Sequence, residues 1–207
     1  MKTILRIDAS SRTKASQSRA LGDYFESVWV KQKPGDRVVR RDAVENLIPH
    51  IASETITGFY TPAEKLTGEL RTATALSDRL IGELRAADVL LITVPIYNFS
   101  IPSALKAWID QIVRIGHTFA YDGKSFTGLV TGKRAYIICA YGAGGYLGGG
   151  PLASYDFLKP YLTLILSFLG IQDIRFFAVE GTTLDETTVS LNLTKVKQEI
   201  DSAVAMA

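Results

Sequence analysis

A chain of 207 residues with 47% hydrophobic and 21% charged positions has the make-up of one globular domain, residues 1–207, with a substantial core. A net charge of +2 gives no reason to expect nucleic acid or an anionic membrane as partner, and Arg40-Arg41, the one close basic pair with a strand before it, reads as a solvated edge. The single Cys139 excludes an internal disulfide and a cysteine-based metal cluster, and its apolar setting (Ala135–Ala140) marks a buried, inert thiol.

In chain order, Thr3–Asp8 reads as a first strand, apolar with little alternation, and the opening MKTILRIDASS lacks the long apolar core of a signal peptide. The polar loop Ala9–Gln17 leads into a helix from about Ser18 to Lys31, whose apolar face is Leu21, Tyr24, Phe25, Val28 and Trp29. After a turn at Lys33–Asp36, Arg37–Asp42 predicts a short second strand at or near an edge. Ala43–Thr61 shows no clear period and reads as an irregular excursion with one helical turn. Pro62–Ala87, rich in Ala, Leu, Glu and Arg, predicts one long helix.

Asp88–Val94 is the third strand, a nearly continuous β-rich run suited to burial on both faces of a parallel sheet, and Pro95 is expected to stop it. Pro102 then opens a helix with Leu105, Trp108, Ile109 and Ile112 at helical spacing. Gly116–Gly132 reads as a long loop with extended segments, and Lys133–Ala140 as the fourth strand. The glycine-rich run Tyr141–Gly150 precedes a helix over Ser154–Leu169 capped by Gly170. Ile174–Val179 is the fifth strand and Thr188–Ala203 the closing helix. Alternating strands and helices mean βαβ units, hence an α/β fold with a parallel sheet and helices on both faces, and five strands fit the flavodoxin-like order 2-1-3-4-5. No apolar run has the length of a membrane span, so a soluble, cytoplasmic protein is expected.

Three loops at strand ends carry the candidate chemistry. The first, Ser10–Ser18, joins a buried strand to a helix and offers hydroxyls, free N–H groups and two cations, which suit a phosphate monoester; the plainer alternative is a polar connection capped by Ser16 or Ser18. It contains neither GxxxxGK[ST] nor GxGxxG, which disfavours a nucleoside triphosphate or a dinucleotide held in Rossmann fashion. The second, Ile96-Tyr97-Asn98-Phe99, sets two aromatic rings around an amide where open sheets bind ligands, although aromatics often only cover a sheet end. In the third, Tyr141-Gly142-Ala143-Gly144-Gly145, backbone can approach a planar ligand closely. Phe59, Tyr60, Phe119 and Tyr121 are candidates to wall a substrate pocket. His50 and His117 are isolated, so no metal site is expected, and no GxSxG or Ser/His/Asp pattern supports hydrolysis.

The run VPIYNFSIPSALKAWID resembles the flavin-contacting loop of the FMN-dependent NADH-azoreductases, also described as NADH:quinone oxidoreductases. The resemblance continues through the amino-terminal serine loop, Gly128–Gly145 and Leu166–Gly181, almost the whole chain. It implies that FMN is the cofactor, its phosphate on Ser10, Ser16, Gln17 and Ser18 and its ring against Pro95, Ile96, Tyr97, Asn98 and Phe99 and against Ala140, Tyr141, Gly142, Ala143 and Gly144. It also implies NADH as donor, quinones and aromatic azo compounds as acceptors, and a homodimer whose pocket the second subunit completes. Family members often carry Arg-Gly-Gly where this chain has Tyr141-Gly142-Ala143-Gly144, which removes any contact made by that arginine. No catalytic acid or base is called for, since the flavin carries the hydride. One open flavin face implies ping-pong order, and N–H groups of Ala143–Gly145 would face the charge of reduced flavin. The rival readings are another flavodoxin-like reductase of iron or chromate and a non-enzymatic, flavodoxin-type electron carrier.

Overall fold

The computed structural model describes all 207 residues. Five strands form one parallel sheet in the order β2-β1-β3-β6-β7: β1 (Thr3–Asp8), β2 (Arg37–Asp42), β3 (Val89–Pro95), β6 (Arg134–Ala140) and β7 (Asp173–Val179). Counted among themselves these strands run 2-1-3-4-5. Ile4 pairs with Val89, Thr93 with Ile138 and Ile137 with Phe176, so the strand ends at Asp8, Pro95, Ala140 and Val179 lie along one edge of the layer.

Successive residues of a strand face opposite sides, so the apolar runs fill two cores at once. Val89, Leu91, Tyr136, Ile138 and Phe177 face α1 (Gln17–Gln32) and α6 (Glu186–Ala205), where Phe25 stacks on Trp29 with ring centroids 5.7 Å apart. Leu90, Ile92, Val94, Ile137 and Cys139 face α3 (Gly68–Ala86), α4 (Ser103–Ile112) and α5 (Leu158–Leu169). Each large side chain so buried contributes roughly 1.5–3 kcal/mol. Helix α1 lies close on β3: a Cβ on Gly22 would come within 2.5 Å of Thr93 Cγ2. At the other end of the chain Gly170, at φ 104°, takes the left-handed cap that stops α5.

The structure corrects several boundaries. The excursion Ala43–Thr61 contains a two-turn helix, α2 (Ser53–Tyr60); its Thr residues and Gly58 obscure the period. Pro62–Ala87 is not one helix: Ala63–Lys65 is a 3₁₀ turn, and α3 starts afresh where the Thr67 hydroxyl accepts the Leu70 N–H. Pro95 does not stop β3 but ends it in register with Ala140, because the Ile96 N–H donates to the Ala140 carbonyl at 2.9 Å. Helix α5 begins at Leu158 rather than Ser154, since the Asp156 carboxylate accepts the N–H groups of Leu158 and Lys159. Within Gly116–Gly132 the extended segments pair as a hairpin, β4 (Phe119–Tyr121) with β5 (Phe126–Gly128). Edge strand β2 carries Arg40 and Arg41, paired with Glu26 and Glu83. No helix is long and apolar enough to cross a membrane.

Candidate functional site at the strand ends

A cleft of about 190 Å³ opens over the carboxyl ends of β1, β3 and β6. Ser10, Ser16, Gln17, Ser18, Pro95, Ile96, Tyr97, Ala140 and Gly142 line it, bringing residues from all three candidate loops to one place. Arg12, Ala15, Thr182 and Thr183 complete the wall.

The serine side is built on α1. Ser16 is its N-cap, and the Ser16 hydroxyl accepts the Arg19 N–H at 3.4 Å and lies 3.2 Å from the Ser18 hydroxyl. The N–H groups of Gln17 and Ser18 meet no acceptor within the chain, which leaves two donors at the positive end of a sixteen-residue helix. Below them lies a charged layer. The Arg19 guanidinium donates to the Ser10 carbonyl at 2.8 Å and pairs with Asp42. Arg6, 3% exposed, pairs with Asp8 at 3.0 Å and with Asp23 at 2.7 Å, and the Thr93 hydroxyl donates to Asp8 at 2.6 Å. Burial alone would lower the Arg6 pKa, but Asp8 and Asp23 outweigh it and raise it, so the guanidinium stays charged.

The aromatic loop is a tight turn. Tyr97 and Ser100 exchange backbone hydrogen bonds at 2.9 and 3.0 Å, and both central residues, Asn98 (φ 47°) and Phe99 (φ 72°), are left-handed. Two non-glycine residues there cost about 1 kcal/mol each. The turn holds the Tyr97 hydroxyl where it accepts the Ser11 N–H at 3.3 Å, tying the second loop to the first. Asn98 and Phe99 are exposed beyond the cleft lining, and the Phe99 ring lies 5.5 Å from that of Tyr155.

On the glycine side, the carbonyls of Tyr141, Gly142 and Ala143 are engaged while the N–H groups of Gly142, Ala143 and Gly144 are not. Thr182 donates from both N–H and hydroxyl to the Tyr141 carbonyl, each at 3.1 Å, and Thr183 does the same to the Gly142 carbonyl at 3.2 and 2.9 Å. The Gly181 N–H donates to the Ala143 carbonyl at 3.1 Å. The N–H groups of Gly142, Ala143 and Gly144 have no acceptor within the chain. The Gly145 N–H is not available with them, because it donates to Glu180 at 3.0 Å. Ala143 and Gly144 are exposed past the cleft wall. Tyr141 turns its side chain away into the core, where its hydroxyl donates to Asp156 at 2.9 Å; burial, then Cys139 and Asp156, pushes that hydroxyl's pKa up. Burial likewise pushes the Cys139 thiol up to about 12, as an inert thiol requires.

The aromatic candidates lie elsewhere. Phe59 and Tyr60 border a separate hollow of about 500 Å³ with Arg114 and His117, where Arg114 stacks 4.9 Å from the Phe59 ring. Burial and then the Arg114 charge push the His117 imidazole below its ordinary value. Phe119 and Tyr121 belong to the hairpin and pack with Phe126 and Phe168. Sequence reasoning singled out neither Glu180 nor Thr182 and Thr183. The one local signal is a Glu-Gly-Thr-Thr run directly after the edge strand β7.

The chemistry of this donor set fits FMN. One end offers buried hydroxyls and free helix N–H groups to a phosphate, and the other offers the free N–H groups of Gly142–Gly144 beside Pro95, Ile96 and Tyr97 to a flat ring with polar edge atoms. Comparison with known proteins agrees. The family model for the flavodoxin-like fold matches residues 2–204. An FMN-dependent NADH:quinone oxidoreductase from Xanthobacter autotrophicus is 58% identical over 175 residues, 84% of each chain. Another of the same name from Nostoc sp. is 42% identical over 205 residues, 99% of each. Among solved structures, an azoreductase from Bacillus anthracis superimposes with a TM-score of 0.91 at 24% identity, covering all of both chains, and so supports the fold. With the three loops gathered at one cleft and relatives this similar over nearly its full length, the chain belongs to the family of FMN-dependent NADH:quinone oxidoreductases of flavodoxin-like fold.

Proposed function

We propose that this chain is an FMN-dependent NADH:quinone oxidoreductase that also reduces aromatic azo compounds. The observation that carries the reading is the polarity of the cleft: hydroxyls and free helix N–H groups at one end, and at the other the free N–H groups of Gly142–Gly144 beside carbonyls of Tyr141, Gly142 and Ala143 that are already engaged. Ser10, Ser16, Gln17 and Ser18 hold the phosphate. Pro95, Ile96, Tyr97, Asn98 and Phe99 pack on the ring, and Ala140, Tyr141, Gly142, Ala143 and Gly144 bring backbone to its edge. Bound FMN supplies a centre that accepts hydride from NADH and passes it to an acceptor. The protein's part is to bind, orient and polarise, and no side-chain acid or base is assigned.

Phe59, Tyr60, Phe119 and Tyr121 wall the acceptor space in a homodimer. They lie away from the cleft of their own chain, and Tyr60 and Tyr121 are exposed, as residues presented to a second copy must be. The whole chain, 1–207, acts as one domain in the cytoplasm, where NADH is supplied. Light scattering should return twice the 22.6 kDa chain mass.

The decisive experiment is spectroscopic. The purified protein should take up FMN, lose its flavin colour under anaerobic NADH, and regain it on adding quinone. A protein that takes up no flavin removes the reading. With one open face shared by both substrates, reciprocal plots at several NADH levels should be parallel, whereas intersecting lines defeat the ping-pong order.

A further inference from the structure

The glycine loop does not hold its own shape. Between Tyr141 and Leu147 most of the engaged backbone groups are engaged by the four residues that follow β7. Gly181, Thr182 and Thr183 occupy the carbonyls of Ala143, Tyr141 and Gly142. Glu180 takes the other polarity: its Oε2 alone accepts the N–H groups of Gly145, Tyr146 and Leu147, at 3.0, 3.0 and 3.1 Å. The Glu180 carbonyl in turn accepts the Asn192 amide at 3.0 Å, which anchors the segment on α6.

The consequence is an ordering of donors. Three N–H groups are bound to a carboxylate, three carbonyls are bound to hydroxyls and amides, and the N–H groups of Gly142, Ala143 and Gly144 remain free between them. Gly142, Gly144 and Gly145 let the adjoining peptide planes rotate at little steric cost unless something holds them. A single flipped plane would place a carbonyl, not a donor, at the ligand. Convergent charge-assisted hydrogen bonds are the strong kind, and they act on the half of the loop whose other backbone restraints are the Leu152 N–H on the Gly145 carbonyl and the Gly150 N–H on the Leu147 carbonyl.

We infer that Glu180 is a positioning residue which, together with Thr182 and Thr183, fixes the glycine loop in the arrangement that presents the free N–H groups of Gly142–Gly144 to the ring end of the bound flavin. The inference rests on the FMN reading above. It assigns Glu180 no contact with flavin or substrate. Its effect passes through the loop, so it must show at the ring end of the ligand and not at the phosphate end.

Titration of the apoprotein with FMN and, separately, with riboflavin tests this, with binding followed by flavin fluorescence and no turnover involved. Glu180→Ala should weaken both ligands by the same factor, about tenfold, equivalent to the loss of one charge-assisted hydrogen bond. Glu180→Gln keeps an acceptor oxygen and should recover part of that loss. Thr183→Val removes one hydroxyl donor and leaves the N–H, so roughly a twofold to threefold weakening of both ligands is expected. Cooperative unfolding of each apoprotein establishes that it is folded; if Glu180→Ala is not, Glu180→Gln and Thr183→Val carry the test alone, both weakening FMN and riboflavin equally. Unchanged affinity in the folded variants, a loss confined to FMN, or a Gln variant no better than Ala overturns the inference. Wild-type protein that binds neither flavin instead removes the FMN reading itself.

Discussion

At one end of the cleft Arg19 reaches from α1 to the Ser10 carbonyl and to Asp42, above the buried Arg6–Asp8 pair. At the other, a run of small residues is gripped through its backbone by Glu180–Thr183. The serine loop is therefore specified by its own side chains and the ion pairs beneath them, and the glycine loop by main-chain groups that any residue carries. Tyr141-Gly142-Ala143-Gly144 can therefore present donors whatever side chains the run carries. Backbone donors do not depend on which side chains they accompany. A Cβ placed on Gly144 would meet nothing within 4 Å.

The largest expected effect tests how far the serine end depends on charge. Arg6→Met strips the nearly dry Asp8 of its counter-ion, and breaking such a pair from one side costs roughly 3–5 kcal/mol. Denaturant unfolding should show that loss, and a change below about 1 kcal/mol would mean that water or Thr93 satisfies Asp8 instead. Next in size is Ser16→Ala with Ser18→Ala. FMN affinity should fall about tenfold or more through lost hydroxyls and a lost N-cap, while riboflavin affinity changes little. Equal losses for the two flavins would erase the distinction between the two ends.

Tyr141→Phe bears on the glycine end. It removes the hydrogen bond to Asp156 and should cost about 1 kcal/mol of stability, with FMN affinity within about twofold of wild type because the backbone stays clamped. A collapse of FMN binding would show that the side chain, not the backbone, shapes this loop.

The smallest effect is in acid. Burial alone would raise the Asp42 carboxyl, but Arg19 and the N–H groups of Glu45 and Val44 more than offset it and hold the carboxyl below its ordinary value. A depressed folded value stabilises above the unfolded pKa near about 4, and the contribution disappears as pH falls through the folded value. Stability should therefore decline below about pH 4, and more shallowly in Asp42→Asn. An identical slope in that variant would take Asp42 out of the account.

What the sequence makes legible divides along the same line. The serine loop is local: a buried strand, closely spaced hydroxyls and a helix start all fall within Thr3–Ser18, and the fold places them as that pattern implies. The sheet strands are equally plain: β1, β3, β6 and β7 are short, largely apolar runs between polar breaks, and the charged β2 reads as the edge it forms. The clamp is not legible, because Thr182 and Thr183 meet Tyr141 and Gly142 across 41 residues and nothing in a Thr-Thr pair announces a carbonyl partner. Helix α2 and the β4–β5 hairpin escape for another reason. Two turns and three-residue strands are too short for a period to register.

The position of the clamp in the chain has a consequence for biosynthesis. Strand β7 is the last to be made and forms an edge of the sheet, and the residues that grip the glycine loop follow it directly. A nascent polypeptide emerges amino terminus first, so the serine loop and its helix exist while the ribosome is still translating the segment that will shape the opposite end. Until residue 183 has emerged and β7 has docked on β6, the loop at 141–147 lacks the partners that fix its donors. If the serine loop holds the FMN phosphate as proposed, tight retention of cofactor is a property of the finished polypeptide, since a product lacking this last strand would carry the serine loop without the clamp on the glycine loop.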